Sequence, residues 1–277
     1  TIINIVPELP EVETVRQTLR KNILGKQVSG ITVLYERMIC GSSATEFKEK
    51  LLGKTLLEIG RKGKYLYFEF SDGVYLVSHL RMEGKYFIKP SSSEIVKHEH
   101  VIFEFTDGVS LRYHDVRKFG TMEIKNKDEL FTTHPLKELG MEANMLTPSY
   151  LKEKMFKKHK DLKAFLLDQS MIAGIGNIYA DEVCFLAGLN PKKDIYYLTD
   201  TDYINIANAA KNVINKAIEA GGTTIRSYTS SLGVSGLFQL QLNVHTMANK
   251  PCPVCSNLII KTKVAGRGTY ICSNCQK

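Results

Sequence analysis

The chain has 277 residues, 43% of them hydrophobic and 24% charged, with 37 Lys and Arg against 29 Asp and Glu for a net charge of +8. That is enough chain for two domains with cores of their own, and no apolar run approaches the ~20 residues of a membrane-spanning helix. The charge is uneven: Ala220 to Lys277 contains no Asp or Glu but holds Arg226, Lys250, Lys261, Lys263, Arg267 and Lys277, leaving +2 for residues 1–219. A one-signed tail carrying aromatic residues points to a polyanionic partner, of which nucleic acid is the usual one.

In chain order, Pro10 marks the expected start of a helix, where its missing N–H had no partner to lose. Val12, Val15, Leu19 and Ile23 follow at helical spacing and form one apolar stripe ending near Gly25. Pro7 and Glu8 lie just ahead, close to the helix's positive end. A proline nitrogen there, if it opened the chain, would be an unprotonated secondary amine able to form an iminium with a sugar carbon. Residues 26–120 read as strands. Phe68-Glu69-Phe70-Ser71-Asp72-Gly73-Val74 returns as Phe103-Glu104-Phe105-Thr106-Asp107-Gly108-Val109, and Leu76 and His79 match Leu111 and His114. Two related hairpins are predicted, one in each layer of an antiparallel β-sandwich. Each runs into a polar segment ending in glycine, His79–Gly84 and His114–Gly120. Met82, Arg117 and Phe119 in these segments suit wedging into a base stack, although alone such residues are ordinary core. Arg61–Lys64 is a cationic cluster at a strand start, and Lys97–His100 places two imidazoles on one strand, a weak half-site for a metal. Cys40 and Cys184 stand singly among apolar neighbours, as small buried hydrophobes.

Residues 126–150 are polar, with Pro135 and Pro148, and read as an interdomain linker. Helices are then expected over 150–160, 161–169, 178–187 and near 200–219. Gly174-Ile175-Gly176-Asn177 supplies a tight turn and a helix start that suit an anion. Thr223–Phe238 is rich in Gly, Ser and Thr and reads as a long loop. Cys252-Pro253-Val254-Cys255, sixteen residues, then Cys272-Ser273-Asn274-Cys275 is the strongest signal in the chain. Four thiolates at this spacing make a closed tetrahedral zinc site that holds a segment too small for its own core. Val264–Thr269 forms the expected hairpin tip, with Arg267 offering a phosphate fork.

From Pro7 to Lys277 these motifs together resemble the bacterial formamidopyrimidine-DNA glycosylases. The resemblance implies an α+β fold: an N-terminal antiparallel β-sandwich flanked by helices (7–130), a linker (131–149), a helix–two-turns–helix bundle (150–222), a lesion-recognition loop and connector (223–249), and a β-hairpin zinc finger (250–277). It implies a base-excision repair DNA glycosylase with AP lyase (β,δ-elimination) activity, acting on 8-oxoguanine or formamidopyrimidines in double-stranded DNA. Pro7 would attack the sugar and Glu8 move protons, with Lys64 and Arg267 counted in the same catalytic set. Lys64, His79, Asn177 and Arg267 would hold phosphates. Met82, Arg117 and Phe119 would fill the void, Arg117 facing the unpaired cytosine. The amides of Ile225, Arg226, Ser227 and Tyr228 and the Thr223 carbonyl would read the everted base. One structural zinc, a monomer, a cytoplasmic location and no membrane partner are expected.

Two departures stand out. Thr1–Val6 precede Pro7 and would leave it an amide; the expectation is that Val6 marks the true start, read as an initiator methionine and removed. Val244–Asn249 replaces the family's usual Tyr-Gly-Arg sequence. An endonuclease VIII-type enzyme for oxidised pyrimidines, which typically has Gly where Leu9 stands, and a non-catalytic damaged-DNA binder that retains residues 1–6 are the alternatives.

Overall fold

The computed structural model describes residues 6–221 and 242–277. They separate into two compact units, residues 6–137 and residues 138–220 with 242–277. The division falls inside the expected linker 131–149, whose residues are packed: Leu136 is buried in the first unit and Met141–Glu142 pairs as a short strand in the second.

The first unit opens with α1 (Leu9–Ile23). Glu8 is its N-cap, and the Glu11 carboxylate accepts from the Glu8 N–H at 2.9 Å, one half of a capping box. The helix therefore starts one residue before Pro10. Its stripe of Val12, Val15, Leu19 and Ile23 is fully buried, and Gly25, at φ +79°, turns the chain away. There follow β1 (Val28–Val33), β2 (Ile39–Cys40), α2 (Ala44–Leu51), β3 (Leu56–Lys62), β4 (Tyr65–Phe70), β5 (Val74–His79), β6 (Lys85–Pro90), β7 (Glu99–Phe105), β8 (Val109–His114) and β9 (Thr121–Asn126).

Two sheets form, in the orders β1-β7-β8-β6 and β2-β9-β5-β4-β3. The repeated hairpins fall one in each sheet, as their shared pattern predicts: β4–β5 in the five-stranded layer and β7–β8 in the four-stranded one. Matching positions bury matching side chains. Phe68 and Phe103, Phe70 and Phe105, Leu76 and Leu111 all enter one core, together with the stripes of α1 and α2. The turn Asp72-Gly73 takes positive φ at both residues, the geometry whose twist suits a tight hairpin.

The second unit contains β10 (Met141–Glu142), α3 (Pro148–Met155), α4 (Leu162–Leu166), β11 (Ile172–Ala173), α5 (Asn177–Ala187), α6 (Asp200–Glu219), β12 (Ile260–Val264) and β13 (Arg267–Ile271). Helices α3 and α4 are shorter than the spans 150–160 and 161–169 predicted from periodicity. Lys157 takes φ +55° and ends the first, and Asp161 bridges to Asp194 instead of continuing it. A tertiary strand contact thus overrides a basic, amphipathic pattern. Helix α6 is one span, opened by a Thr199–Asp202 capping box. The finger is strapped to the end of α5 by Lys277 N–H to the Gly188 carbonyl (3.1 Å) and Gln276 Nε2 to the Leu189 carbonyl (3.0 Å).

Candidate functional site

Pro7 and Glu8 are buried ahead of α1. The helix that carries them is pinned to β3 by Glu13, whose carboxylate accepts from Arg16, from Gln17 and, at 2.9 Å, from Arg61. Burial alone would raise the Glu13 pKa, but the Arg16 and Arg61 hydrogen bonds outweigh it and hold the carboxyl below its usual range. The cationic cluster is thus divided. Arg61 is an internal partner of α1, Lys62 Nζ donates to the Leu136 carbonyl at 2.8 Å, and Lys64 stands half-buried in the turn between β3 and β4.

His79 lies across from Tyr65 at the end of β5, the rings edge to face with centroids 4.3 Å apart. Burial first, then the charges of Arg81 and Lys64, push its imidazole down to about 3. Its Nδ1 accepts the Arg81 N–H at 2.9 Å, so the neutral ring carries its proton on Nε2 and offers a donor suited to a phosphate oxygen. The unfolded imidazole protonates near 6.5 and the folded one near 3. Between those values the unfolded state binds more protons, so this contribution to stability is whole above about pH 6.5 and is lost as pH falls toward 3. His79→Gln is expected to flatten part of the acid-side fall in denaturation midpoint between pH 6.5 and 4.5 while leaving pH 8 little changed. An unaltered acid slope would refute it.

The two wedge segments meet at one hydroxyl. A Cβ on Gly84 would stand 2.2 Å from Tyr113 Oη, and one on Gly120 only 1.6 Å from it, so both loops need glycine to close on this phenol. Asp115, fully buried, shapes the second loop: its carboxylate accepts the Arg117 N–H and the Gly120 N–H, each at 2.9 Å, and the Tyr113 hydroxyl at 3.3 Å. Arg117 and Phe119 are thereby thrust outward, the guanidinium 4.9 Å from the exposed ring's centroid, while Met82 is half-buried. Asp115 and Tyr113 carry no sequence signal of this role, because their partners are set by the fold. The imidazoles of Lys97–His100 make no metal half-site. His100 Nε2 is bonded to the Asp115 carbonyl at 2.7 Å.

In the second unit, Gln169 sews the two turns before α5. Its Nε2 donates to the Ile175 carbonyl (2.8 Å) and its Oε1 accepts the Gly174 N–H (3.0 Å), with Gly174 at φ +106°. This sets Asn177 at the first position of α5. One Asn177 amide N–H goes to the Gly268 carbonyl at 3.1 Å, tying the helix start to the residue beside Arg267. The hairpin turn itself is Ala265-Gly266, both at positive φ, and Arg267 is exposed at the start of β13.

Beneath it runs a buried ionic chain. Lys163 Nζ meets Asp181 Oδ1 at 2.7 Å, Thr269 Oγ1 at 2.8 Å and the Gly268 carbonyl at 3.2 Å. Asp181 Oδ2 accepts from His245 Nδ1 at 2.7 Å and from the Tyr270 N–H at 3.2 Å. Glu182 accepts the N–H groups of Asn243, Val244 and His245. The departure at His245 therefore supplies a buried partner to α5. Removing one member of such a chain strands a buried charge, at about 3–5 kcal/mol. Asp181→Asn is expected to destabilise the unit by about that much and, if Arg267 grips phosphates as the resemblance implies, to weaken DNA binding through it. In an Arg267→Ala background, which itself keeps its metal, the binding loss should shrink. Additive losses in that cycle would refute the coupling.

The four cysteine sulfurs all lie within 4.8 Å of one another, with Cys255–Cys272 at 3.4 Å and Cys252–Cys275 at 3.8 Å. A tetrahedral zinc with Zn–S of ~2.3 Å places its sulfurs about 3.8 Å apart, so the donor set fits. The Asn257 N–H pushes the Cys255 thiol down to about 6, while burial pushes Cys272 up and the Cys255 sulfur beside it pushes Cys275 up. Among the described residues no other group of three or more His, Cys, Asp or Glu converges in this way. Thr223, Ile225, Arg226, Ser227 and Tyr228 lie outside the described residues.

Residues 6–122 match the family model for the formamidopyrimidine-DNA glycosylase N-terminal domain, 139–229 that for its H2TH domain, and 249–277 that for the zinc finger found in FPG and IleRS. The formamidopyrimidine-DNA glycosylase of Exiguobacterium sibiricum is 47% identical over 275 residues, 98% of this chain and 99% of that one; that of Bacillus subtilis is 44% identical over 274, with the same coverage. Among solved structures, Lactococcus lactis Fpg bound to DNA containing N7-benzyl-Fapy-dG superposes with a TM-score of 0.92 at 40% identity, covering 98% of this chain and 100% of that one.

Proposed function

The chain belongs to the formamidopyrimidine-DNA glycosylase family, and on that premise we propose that Pro7 is its nucleophile and an oxidised purine in double-stranded DNA its substrate. It is a base-excision repair DNA glycosylase whose four-cysteine finger suits a structural zinc. The Pro7 nitrogen attacks C1′ of the damaged nucleotide. The glycosidic bond breaks and its electron pair leaves with the base, which gains the proton the amine gives up; the C1′–O4′ bond then opens, O4′ takes a proton, and an iminium joins protein to sugar. Glu8 moves the protons for ring opening and elimination. Loss of a C2′ proton expels the 3′ phosphate, and a second elimination expels the 5′ phosphate, leaving a gap with phosphate at both ends.

Lys64, His79, Asn177 and Arg267 hold the backbone in this reading, and Met82, Arg117 and Phe119 fill the space of the extruded nucleotide. Thr223, Ile225, Arg226, Ser227 and Tyr228 read the base. Residues 7–130 thus carry the chemistry, 131–149 connect, 150–222 and 250–277 grip the strand, and 223–249 recognise the lesion. A monomer working in the cytoplasm completes the proposal.

The observation that carries it is the place of Pro7, buried two residues ahead of α1 where the helix's positive end disfavours a protonated amine. The chemistry requires that this nitrogen be free in the working enzyme. Borohydride trapping on an abasic duplex is the test, because only an imine is reduced to a stable cross-link. A chain opening at Pro7 should give the adduct, and no adduct would leave a non-catalytic binder of damaged DNA. A second specificity is favoured by one observation: Lactococcus lactis Fpg has also been solved with DNA containing an oxidised pyrimidine. Faster excision of thymine glycol than of 8-oxoguanine would move this chain to that reading.

A further inference from the structure

On the second unit, a group of large aromatic side chains stands in solvent. Tyr197 is 67% exposed and Tyr196 48%, the His159 side chain is 61% exposed, and Phe156, three residues before His159, is 61% exposed at the end of α3. None of the catalytic, wedge or zinc residues belongs to this group.

The rings are held in place. Asp194 accepts from His159 Nδ1 at 2.7 Å with one oxygen and from the Tyr196 N–H at 3.0 Å with the other. The Ile195 N–H bonds the Lys160 carbonyl at 3.0 Å, locking the two segments together. His159 consequently lies flat on Tyr196, centroids 4.3 Å and planes 14° apart, with Tyr197 edge-on to Tyr196 at 5.2 Å. Such preorganised rings lose little freedom when something stacks on them.

The surrounding charge is mainly positive. Lys157, Lys158 and Lys192 are exposed and have no carboxylate partner among the described residues; Lys157 Nζ rests 5.1 Å from the Phe156 ring centroid. Lys160 and Lys193 are engaged by Asp168 and Asp202. Besides these two, the nearby acids are Asp161, whose backbone rather than its carboxylate pairs with Asp194, and Asp194 itself, whose carboxylate is taken up by His159 and the turn.

We propose that Tyr196, Tyr197 and His159 form a stacking platform for unpaired bases of a single DNA strand beside the bound duplex, with Lys157, Lys158 and Lys192 meeting its phosphates. Flat ring faces amid free cations match a strand that offers flat bases between anions. A Tyr196 ring stacked on His159 and fixed through its N–H to Asp194 is not free to sink into a membrane interface, and an acidic peptide gains nothing from a ring stack. The proposal rests on the DNA-glycosylase reading above for its choice of DNA.

The test compares a blunt duplex carrying an abasic analogue with the same duplex bearing a ten-thymidine overhang on either end, by fluorescence anisotropy at fixed salt. At least one overhang is expected to tighten binding about tenfold. Tyr196→Leu with Tyr197→Leu, which keeps apolar bulk and removes the π faces, should abolish that gain while blunt-duplex affinity and imine trapping stay unchanged. An overhang bearing 4-thiothymidine should cross-link to this patch. Equal affinity for blunt and overhanging duplexes, an equal loss on both in the double variant, or displacement of the overhang effect by poly-glutamate would each overturn the platform. Imine trapping without an overhang effect defeats the platform alone; an overhang effect without trapping defeats the nucleophile assignment alone.

Discussion

Pro7→Gly, in a chain opening at that position, is expected to lose base excision about 10³-fold, the scale on which a positioned catalytic group acts, while still binding an abasic analogue. Glycine supplies a primary amine, so residual imine can form, but it lacks the ring that fixes the N–Cα torsion and so no longer directs the nitrogen ahead of the Glu8 cap. The surroundings that hold this end are retained, since Glu13 still ties α1 to Arg61. Single-turnover excision and borohydride trapping read the chemistry, and anisotropy reads the binding. Wild-type excision by Pro7→Gly, or by a chain with residues ahead of Pro7 still attached, would rule out this nitrogen as the nucleophile.

Removing zinc is expected to unfold the finger. Its buried cluster is small, with Phe185, Val244, Cys252, Ile259 and Cys272 at its centre. Two of those five are cysteines whose sulfurs would turn on one another without metal. Zinc-finger peptides draw about 10–16 kcal/mol of apparent binding energy from the ion, far beyond what this cluster supplies by burial. Chelation, or Cys272→Ser, should release one zinc per chain. Exchange protection should vanish over 250–277 and DNA affinity fall, because Arg267 loses its hairpin. The first unit, whose core lies between its own two sheets, should keep its secondary structure. A finger that stays protected after quantitative zinc loss would show that the Asp181 chain, rather than the metal, is what folds it.

Helix starts, hairpins and the metal site were legible because each is written in near neighbours. The duplicated Phe-Glu-Phe pattern foretold two hairpins in two layers, and the cysteine pairs foretold convergent sulfurs, since a period of two and a two-residue gap bind local geometry to residue type. The periodicity over 150–169 overstates the helices for the converse reason. Their amphipathic pattern is local, whereas the bridge from Asp161 to Asp194 that interrupts it comes from more than thirty residues away.

The amino-acid sequence by itself determined the family, the ligand set of the zinc site and the positions where chemistry is proposed, for those rest on spacing and residue type. Only the tertiary structure decided which charges are internal fastenings. Arg61 serves Glu13, His245 serves Asp181 across 64 residues, and the Tyr113 hydroxyl serves Asp115 and leaves no room for a Cβ at Gly84 or Gly120. A buried polar group must find its partner wherever the fold brings one, and nothing in its immediate neighbours records which residue that is.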